Sequence, residues 1–153
     1  MQEEVYGTRD RAYSAWHRRL STRRFVGIES AQVLAMIDLD ASLYVEYDDA
    51  SKEPLALIET AIDRGQAYKC ATVTTKLAQR CTPVLPAYVV LYALADTPNP
   101  ADTAWPDIAG FRVKRLHPKP QSEWKVYTPT EWATFLVRLR QRVGEILDQE
   151  AQP

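Results

Sequence analysis

The clearest alternation of apolar and polar positions lies near the C-terminus. Trp132, Phe135, Leu136, Leu139, Val143, Ile146 and Leu147 recur at helical spacing with polar residues between them, which predicts a long amphipathic helix. Its start is also written in the chain: Thr128 is the cap, Pro129 takes the first helical position, and Glu131 closes a capping box. Near the other end, Tyr13, Trp16 and Leu20 form a shorter stripe, and a helix is expected from Thr8, with a loop from Ser21 to Ser30 after it. A third helix is expected from Asp63-Arg64-Gly65-Gln66, an acidic variant of the capping box. Its buried face would be Ala67, Cys70, Ala71, Thr74, Leu77, Ala78 and Cys81, and Pro83 would end it.

Strand patterns fill the intervals. Met36-Ile37-Asp38-Leu39-Asp40 leads into Tyr44-Val45-Glu46-Tyr47, and Pro54-Leu55-Ala56-Leu57-Ile58-Glu59 follows the polar link from Asp48 to Glu53. Apolar β-formers on either side of a short polar turn predict a β-hairpin. With the turn centred near Ala50 and Ser51, Ser42 opposes Glu59 and Asp40 sits one step further along. Pro86 to Leu94 is apolar on both parities, as an interior strand requires. Asp96 to Asp107, with Pro98, Pro100 and Pro106, reads as a loop anchored by Trp105. Gly110 to Leu116 reads as a half-exposed strand. The order helix, strand pair, helix, strand, strand, helix predicts one α/β domain over residues 1–153. Its central mixed sheet would be flanked by helices, with the C-terminal helix added to that core.

Composition adds little to this picture: 46% apolar and 25% charged residues in 153 describe an ordinary chain able to build its own core. The net charge of −1 removes any argument from overall electrostatics, but its distribution is uneven. Arg9 to Arg24 holds six arginines and one acid, whereas Phe25 to Asp63 holds nine acids and one base, Lys52. A basic flank beside an acidic centre suits a protein that holds a polyanion over a metal, and equally suits two solvated faces. Cys70 and Cys81, without partners at zinc-ligand spacing, read as small buried residues in a reducing compartment. With no bilayer-length apolar run and no signal-peptide pattern, a cytoplasmic protein is expected. None of the five glycines stands in a phosphate-loop arrangement, and neither His17 nor His117 has the neighbours of a catalytic triad. Trp16 and Trp132 lie on helix stripes and read as core. Trp124 reads as a loop anchor and Glu46 as a surface residue paired with a base.

The hairpin carries the candidate chemistry. Folded back, it brings Asp40 and Glu59 to the same end of neighbouring apolar strands, where two carboxylates repel and lose hydration unless a divalent cation compensates. The alternative is that both end their strands in solvent. From Tyr13 to Leu94 the succession of helix, acidic strand, return strand ending in glutamate, helix and buried strand resembles the PD-(D/E)XK nuclease superfamily, the restriction-endonuclease-like fold. The resemblance implies that Asp40 matches the motif aspartate, with Asp38 as the competing first ligand, and that Glu59 matches the glutamate. The Thr60 carbonyl would complete a site for Mg²⁺ or Mn²⁺. The motif lysine is missing, because its position holds Ala61. Lys69 and Lys76, expected on one side of the helix that starts at Asp63, are the substitutes that could reach back. Lys52 sits at the turn, too far away, and Gln66 resembles a polar site residue. Arg11, Arg18, Arg19, Arg23 and Arg24 would hold backbone phosphates.

The resemblance implies metal-dependent hydrolysis of phosphodiester bonds in DNA. The competing implication is a catalytically inactive member of the fold that binds nucleic acid or protein as a regulator. A third reading is an unrelated α/β interaction module whose acidic hairpin is surface. The expected partner is DNA, with a second copy of the chain in a homodimer and no membrane. A phage or mobile-element setting would suit so compact a chain.

Overall fold

The structure is a computed structural model that describes residues 16, 19–34, 41–81 and 84–151, with backbone alone at 19, 20, 45 and 147–151. By compactness the chain divides into residues 1–38 and 39–153. In the first unit the helix α1 (Arg19–Gln32) runs through the segment expected to be a loop. Gly27, at φ +81°, breaks its helical path, a conformation that glycine adopts without a steric penalty. Thr22 and Ala31 are buried, while Phe25, Val26 and Ile28 are exposed. Trp16, expected in a core stripe, is itself exposed and lies tilted against Phe25 with ring centroids 6.0 Å apart. The predicted helix start at Thr8, Tyr13 and the strand from Met36 to Asp40 lie outside the described residues.

The second unit is built on a five-stranded mixed sheet whose strands lie in chain order: β1 (Ala41–Glu46), β2 (Lys52–Ile62), β3 (Ala87–Asn99), β4 (Asp102–His117) and β5 (Lys125–Tyr127). Neighbours are antiparallel except β2 and β3, which run parallel from Leu57↔Ala87 to Ile62↔Tyr92. A parallel pair cannot be joined by a tight turn, and the crossover here carries the helix α2 (Thr72–Gln79). The alternation of β3 then divides the core. Tyr88 and Val90 pack with Leu55, Ala56 and Val113 against Trp132, Leu139 and Val143 of the helix α3 (Pro129–Ala151). Ala87 on the other parity packs with Leu57, Leu85 and Ala78 of α2. With a helix over each face, the first five residues of β3, Ala87 to Leu91, are buried on both sides, which is what their unbroken apolar run requires.

The hairpin register differs from the expected one. Ser42 faces Leu57 rather than Glu59, and Ala41 faces Ile58. The turn is tighter than the composition of the link suggested: the Tyr47 and Ala50 amides close onto the Ser51 and Tyr47 carbonyls, and Asp49 Oδ1 accepts from the Ser51 amide and hydroxyl. Beyond it Leu43 pairs with Ala56 and Tyr44 with Pro54, leaving Leu55 as an extra residue in β2. This bulge lets Leu55 and Ala56 enter the same core cluster despite their opposite parity. Glu46, as expected, is an exposed residue paired with a base, Lys52 Nζ at 3.9 Å.

Three further expectations are corrected. The proline-rich stretch from Asp96 is no loop: β3 and β4 continue as a two-stranded ribbon with Pro98 opposite Pro106 and Asn99 opposite Asp102. Its register shifts at the prolines, which donate no ladder hydrogen bond, and Trp105 is 68% exposed rather than a buried anchor. The signals at Asp63 start no helix, because Gly65 turns the chain at φ +77° and α2 begins only at Thr72, without a side-chain cap. Cys70 is therefore exposed rather than buried, while Cys81 is half-buried against the Leu57 cluster. Among the described residues no helix is long and apolar enough to cross a membrane.

The start of α3 matches its sequence signature. The Glu131 amide donates to Thr128 Oγ1 at 3.1 Å, and the Thr128 amide donates to Glu131 Oε1 at 3.4 Å. Trp132 stacks on Phe135 at 5.3 Å and packs against Tyr127 of β5, so the cap fixes where the aromatic cluster meets the sheet. Replacing Thr128 by alanine should lower stability by about 1 kcal/mol, read from the urea midpoint at unchanged slope. Ala50 occupies the left-handed region at φ +69° in the β1–β2 turn. Ala50→Gly should therefore raise the same midpoint, by up to about 1 kcal/mol.

Candidate functional site

Glu59 lies near the end of β2, on the face covered by α2, and is only 8% exposed. Its neighbour across the parallel pair is Val89, and two residues back on the same face is buried Leu57. A carboxylate in such surroundings must be hydrogen-bonded or paired, since it cannot recover the hydration it has lost. Both of its oxygens are engaged. The buried Thr74 hydroxyl, from the first turn of α2, donates to Oε2 at 3.2 Å, and Lys69 Nζ stands 3.9 Å from Oε1.

Lys69 is not on α2, as its spacing to Lys76 suggested, but in the irregular segment that precedes it. That segment is pinned to the sheet. Arg112 Nε and Nη2 donate to Asp63 Oδ2 and Oδ1 at 2.8 and 2.6 Å, a two-point contact, and Nη2 also donates to the Gln66 carbonyl at 3.0 Å. The Asp63 amide donates to the Tyr92 carbonyl, and Trp124 Nε1 donates to the Ala67 carbonyl at 3.0 Å. The guanidinium of Arg112 lies 5.1 Å from the Trp124 ring centre and the amine of Lys114 lies 4.7 Å from it. Gln66 uses its side chain locally, accepting from the Arg64 amide and donating to the Ile62 carbonyl. The signals that imitate a capping box thus close a turn whose outer edge is held by a cation from β4.

Of the sequence-predicted site residues, the structure brings Glu59 and Lys69 together. Lys76 is exposed on α2 and shares with Lys69 a cleft of about 280 Å³ that Tyr68, Thr72, Thr75 and Leu116 help to line, but it does not pair with Glu59. Thr60 follows Glu59 in β2 opposite Val90. Lys52 stays at the hairpin turn with Glu46. Asp38, Asp40, Arg11 and Arg18 lie outside the described residues, and Arg19 is described by backbone alone. Ala41, which follows Asp40 in the chain, pairs with Ile58, which precedes Glu59. Arg23 and Arg24 are exposed on α1, where Arg24 turns back to donate to the carbonyl and hydroxyl of Ser21. Among the described residues no three His, Cys, Asp or Glu side chains converge.

Sequence reasoning missed Thr74 as a partner of Glu59, and the Asp63–Arg112 pair altogether. Thr74 was placed on the buried face of its helix, and a buried hydroxyl facing an apolar strand that contains a carboxylate is the signal that was there to use. Nothing local marked Arg112, whose partner lies 49 residues away.

The hydrogen bond from Arg112, supported by the Gly65 amide, holds the Asp63 carboxyl at about 2 rather than its ordinary 3.8. A lowered native value means stability that is fully present above pH 3.8 and is lost as the pH falls through about 2. Asp63→Asn should therefore lower the urea midpoint at neutral pH, and the gap from the wild type should close between about pH 4 and pH 2. A gap that stays constant across that range would show that the ionised form of Asp63 contributes nothing to it. No protein-family model matches this chain, and no curated protein or solved structure matches it either.

Proposed function

We propose that the chain is a metal-dependent nuclease-like protein acting on DNA, with Glu59 as the central carboxylate and Lys69 as the displaced motif lysine. The observation that carries this reading is the approach of an amine from the crossover to a buried carboxylate on the neighbouring strand end. Ala61 leaves the usual lysine position without an amine, and Lys69 supplies one from the loop instead. The donor set fits a hard cation: Glu59 is an oxygen ligand kept in place by Thr74, and Asp40, with Asp38 as the competing ligand, and the Thr60 carbonyl would complete an all-oxygen site for Mg²⁺ or Mn²⁺. Such an ion would lower the pKa of a bound water and offset charge on the scissile phosphate.

Around it, this chain's residues have separable tasks. Thr74 fixes the carboxylate by holding one oxygen, and the two-point Arg112–Asp63 contact holds the segment that carries Lys69. Lys69, about one-third exposed, would orient the attacking water and meet the phosphate from the solvent side. Lys76 lines the same cleft and would contact a backbone phosphate rather than the reacting atoms. The exposed Arg23 and Arg24 would add salt-dependent phosphate contacts.

A second reading has its own support. Lys69 and Thr74 already occupy both oxygens of Glu59, so the carboxylate is compensated within the chain, as in a nuclease fold kept for binding rather than cleavage.

Plasmid, single-stranded and branched DNA, each with Mg²⁺ or Mn²⁺, separate the two. The enzyme reading expects nicking that Asp40→Ala and Glu59→Gln abolish and that Lys69→Ala slows by about 10² or more, with Lys76→Ala changing KM more than kcat. No cleavage with salt-sensitive DNA retention would replace it with the second reading. Cleavage unaffected by Glu59→Gln would remove Glu59 from either.

A further inference from the structure

A separate cavity opens on the other face of the sheet, beneath α3. Its volume is about 310 Å³, and its floor is apolar: Leu139 and Val143 of α3 are buried there, as is the ring of Tyr88 from β3. Three cations stand around this floor, Arg115, Lys119 and Arg142, and no lining residue is acidic. Among the described residues none of the three takes part in an ion pair.

The strand end at the rim of the cavity is braced. The Arg115 Nε donates to the Lys119 carbonyl at 3.1 Å, and Gln121 braces the same strand end by accepting from the Arg115 amide and donating to its carbonyl. Arg115 and Arg142 line the cavity together with Tyr88, whose phenol burial pushes above its ordinary value while the two positive charges pull against that rise. Two like charges beside a buried phenol over an apolar floor are mutually unfavourable, and an anion between them relieves the repulsion. A guanidinium also matches the oxygens of a phosphate or carboxylate at two points. The volume lies at the lower end of the range for small-ligand sites, too small for more than one ring or a short chain.

We propose that this cavity binds a small anion carrying an apolar body, an aryl or short-alkyl phosphate or carboxylate, with the charged end on Arg115 and Arg142 and the body over Leu139 and Val143. The site is independent of Glu59, which faces α2 on the opposite side of the sheet.

Amide chemical shifts of the whole chain, followed during addition of phenyl phosphate, inorganic phosphate or benzyl alcohol, test it. Phenyl phosphate should move residues 115–119 and 139–146 saturably, at a concentration about tenfold below that needed for either half of the molecule alone. Arg142→Ala, at an exposed helix position, should weaken binding about tenfold, and Ile146→Ser at the rim by less. Both variants should keep the wild-type thermal transition, and Glu59→Gln should bind as the wild type does. Inorganic phosphate or benzyl alcohol binding as tightly as phenyl phosphate would overturn the proposal. So would affinity unchanged by Arg142→Ala, or displacement of phenyl phosphate by a single-stranded oligonucleotide at lower concentration.

Discussion

The parallel pairing of β2 with β3 is the constraint from which the rest of the second unit follows. Two parallel neighbours oblige the chain to leave one end of the sheet and return at the other, and the returning segment must cover a sheet face on its way. Leu57 and Ala87 on that face are met by Ala78 and Leu85, which belong to the crossover itself. The same passage lays residues 63–71 across the end of β2. Thr74 and Lys69 therefore reach Glu59 because the connection has to pass there, and not because a local motif placed them. Had β2 and β3 been a hairpin, Glu59 would have faced solvent or a short turn.

The two faces handle charge in opposite ways. On the α2 face, cation and anion alternate at short range: Glu59 with Lys69, and Asp63 with Arg112. On the α3 face the cations Arg115, Lys119 and Arg142 gather without an acid. The parity of β4 produces this separation. Arg112 stands opposite Leu91 and Lys114 opposite Val89, on the side of α2, while Val113 between them joins the α3 cluster. In the same register Arg115, on the parity of Val113, pairs with Tyr88, a residue of the α3 core, so this third basic residue of β4 is delivered to the other face. A slip of one residue in β4 would exchange these surroundings.

How much of this could be read from the chain differs with the range of the interaction. The C-terminal helix was fully legible because its cap, its first-turn proline and its stripe are all local, and each is realised as Thr128, Pro129 and Trp132. The mixed α/β sheet was legible for a similar reason: β3 is apolar on both parities, which only a strand covered on two sides tolerates. The hairpin was legible as a hairpin but not in register. Its bulge at Leu55 answers to core packing against α3, and no turn residue announces that. Gly65 overrode the helix signals of Asp63 and Gln66, and Arg112 then held the resulting turn from 49 residues away. β5, at Lys125–Tyr127, is too short for a period-two pattern to show. Of the candidate site, the carboxylate and one of two proposed lysines were legible as residue types. Which lysine reaches the carboxylate was decided by the crossover path.

That decision can be argued from charge and packing together. An amine on α2 at position 76 lies in the last turn of an eight-residue helix, where the exposed carbonyl ends favour a cation, and it has no need of Glu59. An amine at position 69 precedes the helix, so its stem can run along the sheet end while its charge stays partly in solvent. Glu59, by contrast, has lost nearly all contact with water and gains most from whichever cation can approach without being buried itself. The pairing of a nearly buried acid with a base about one-third exposed keeps most of the desolvation cost on one partner. It also leaves Lys69 open to bulk water on its outer side.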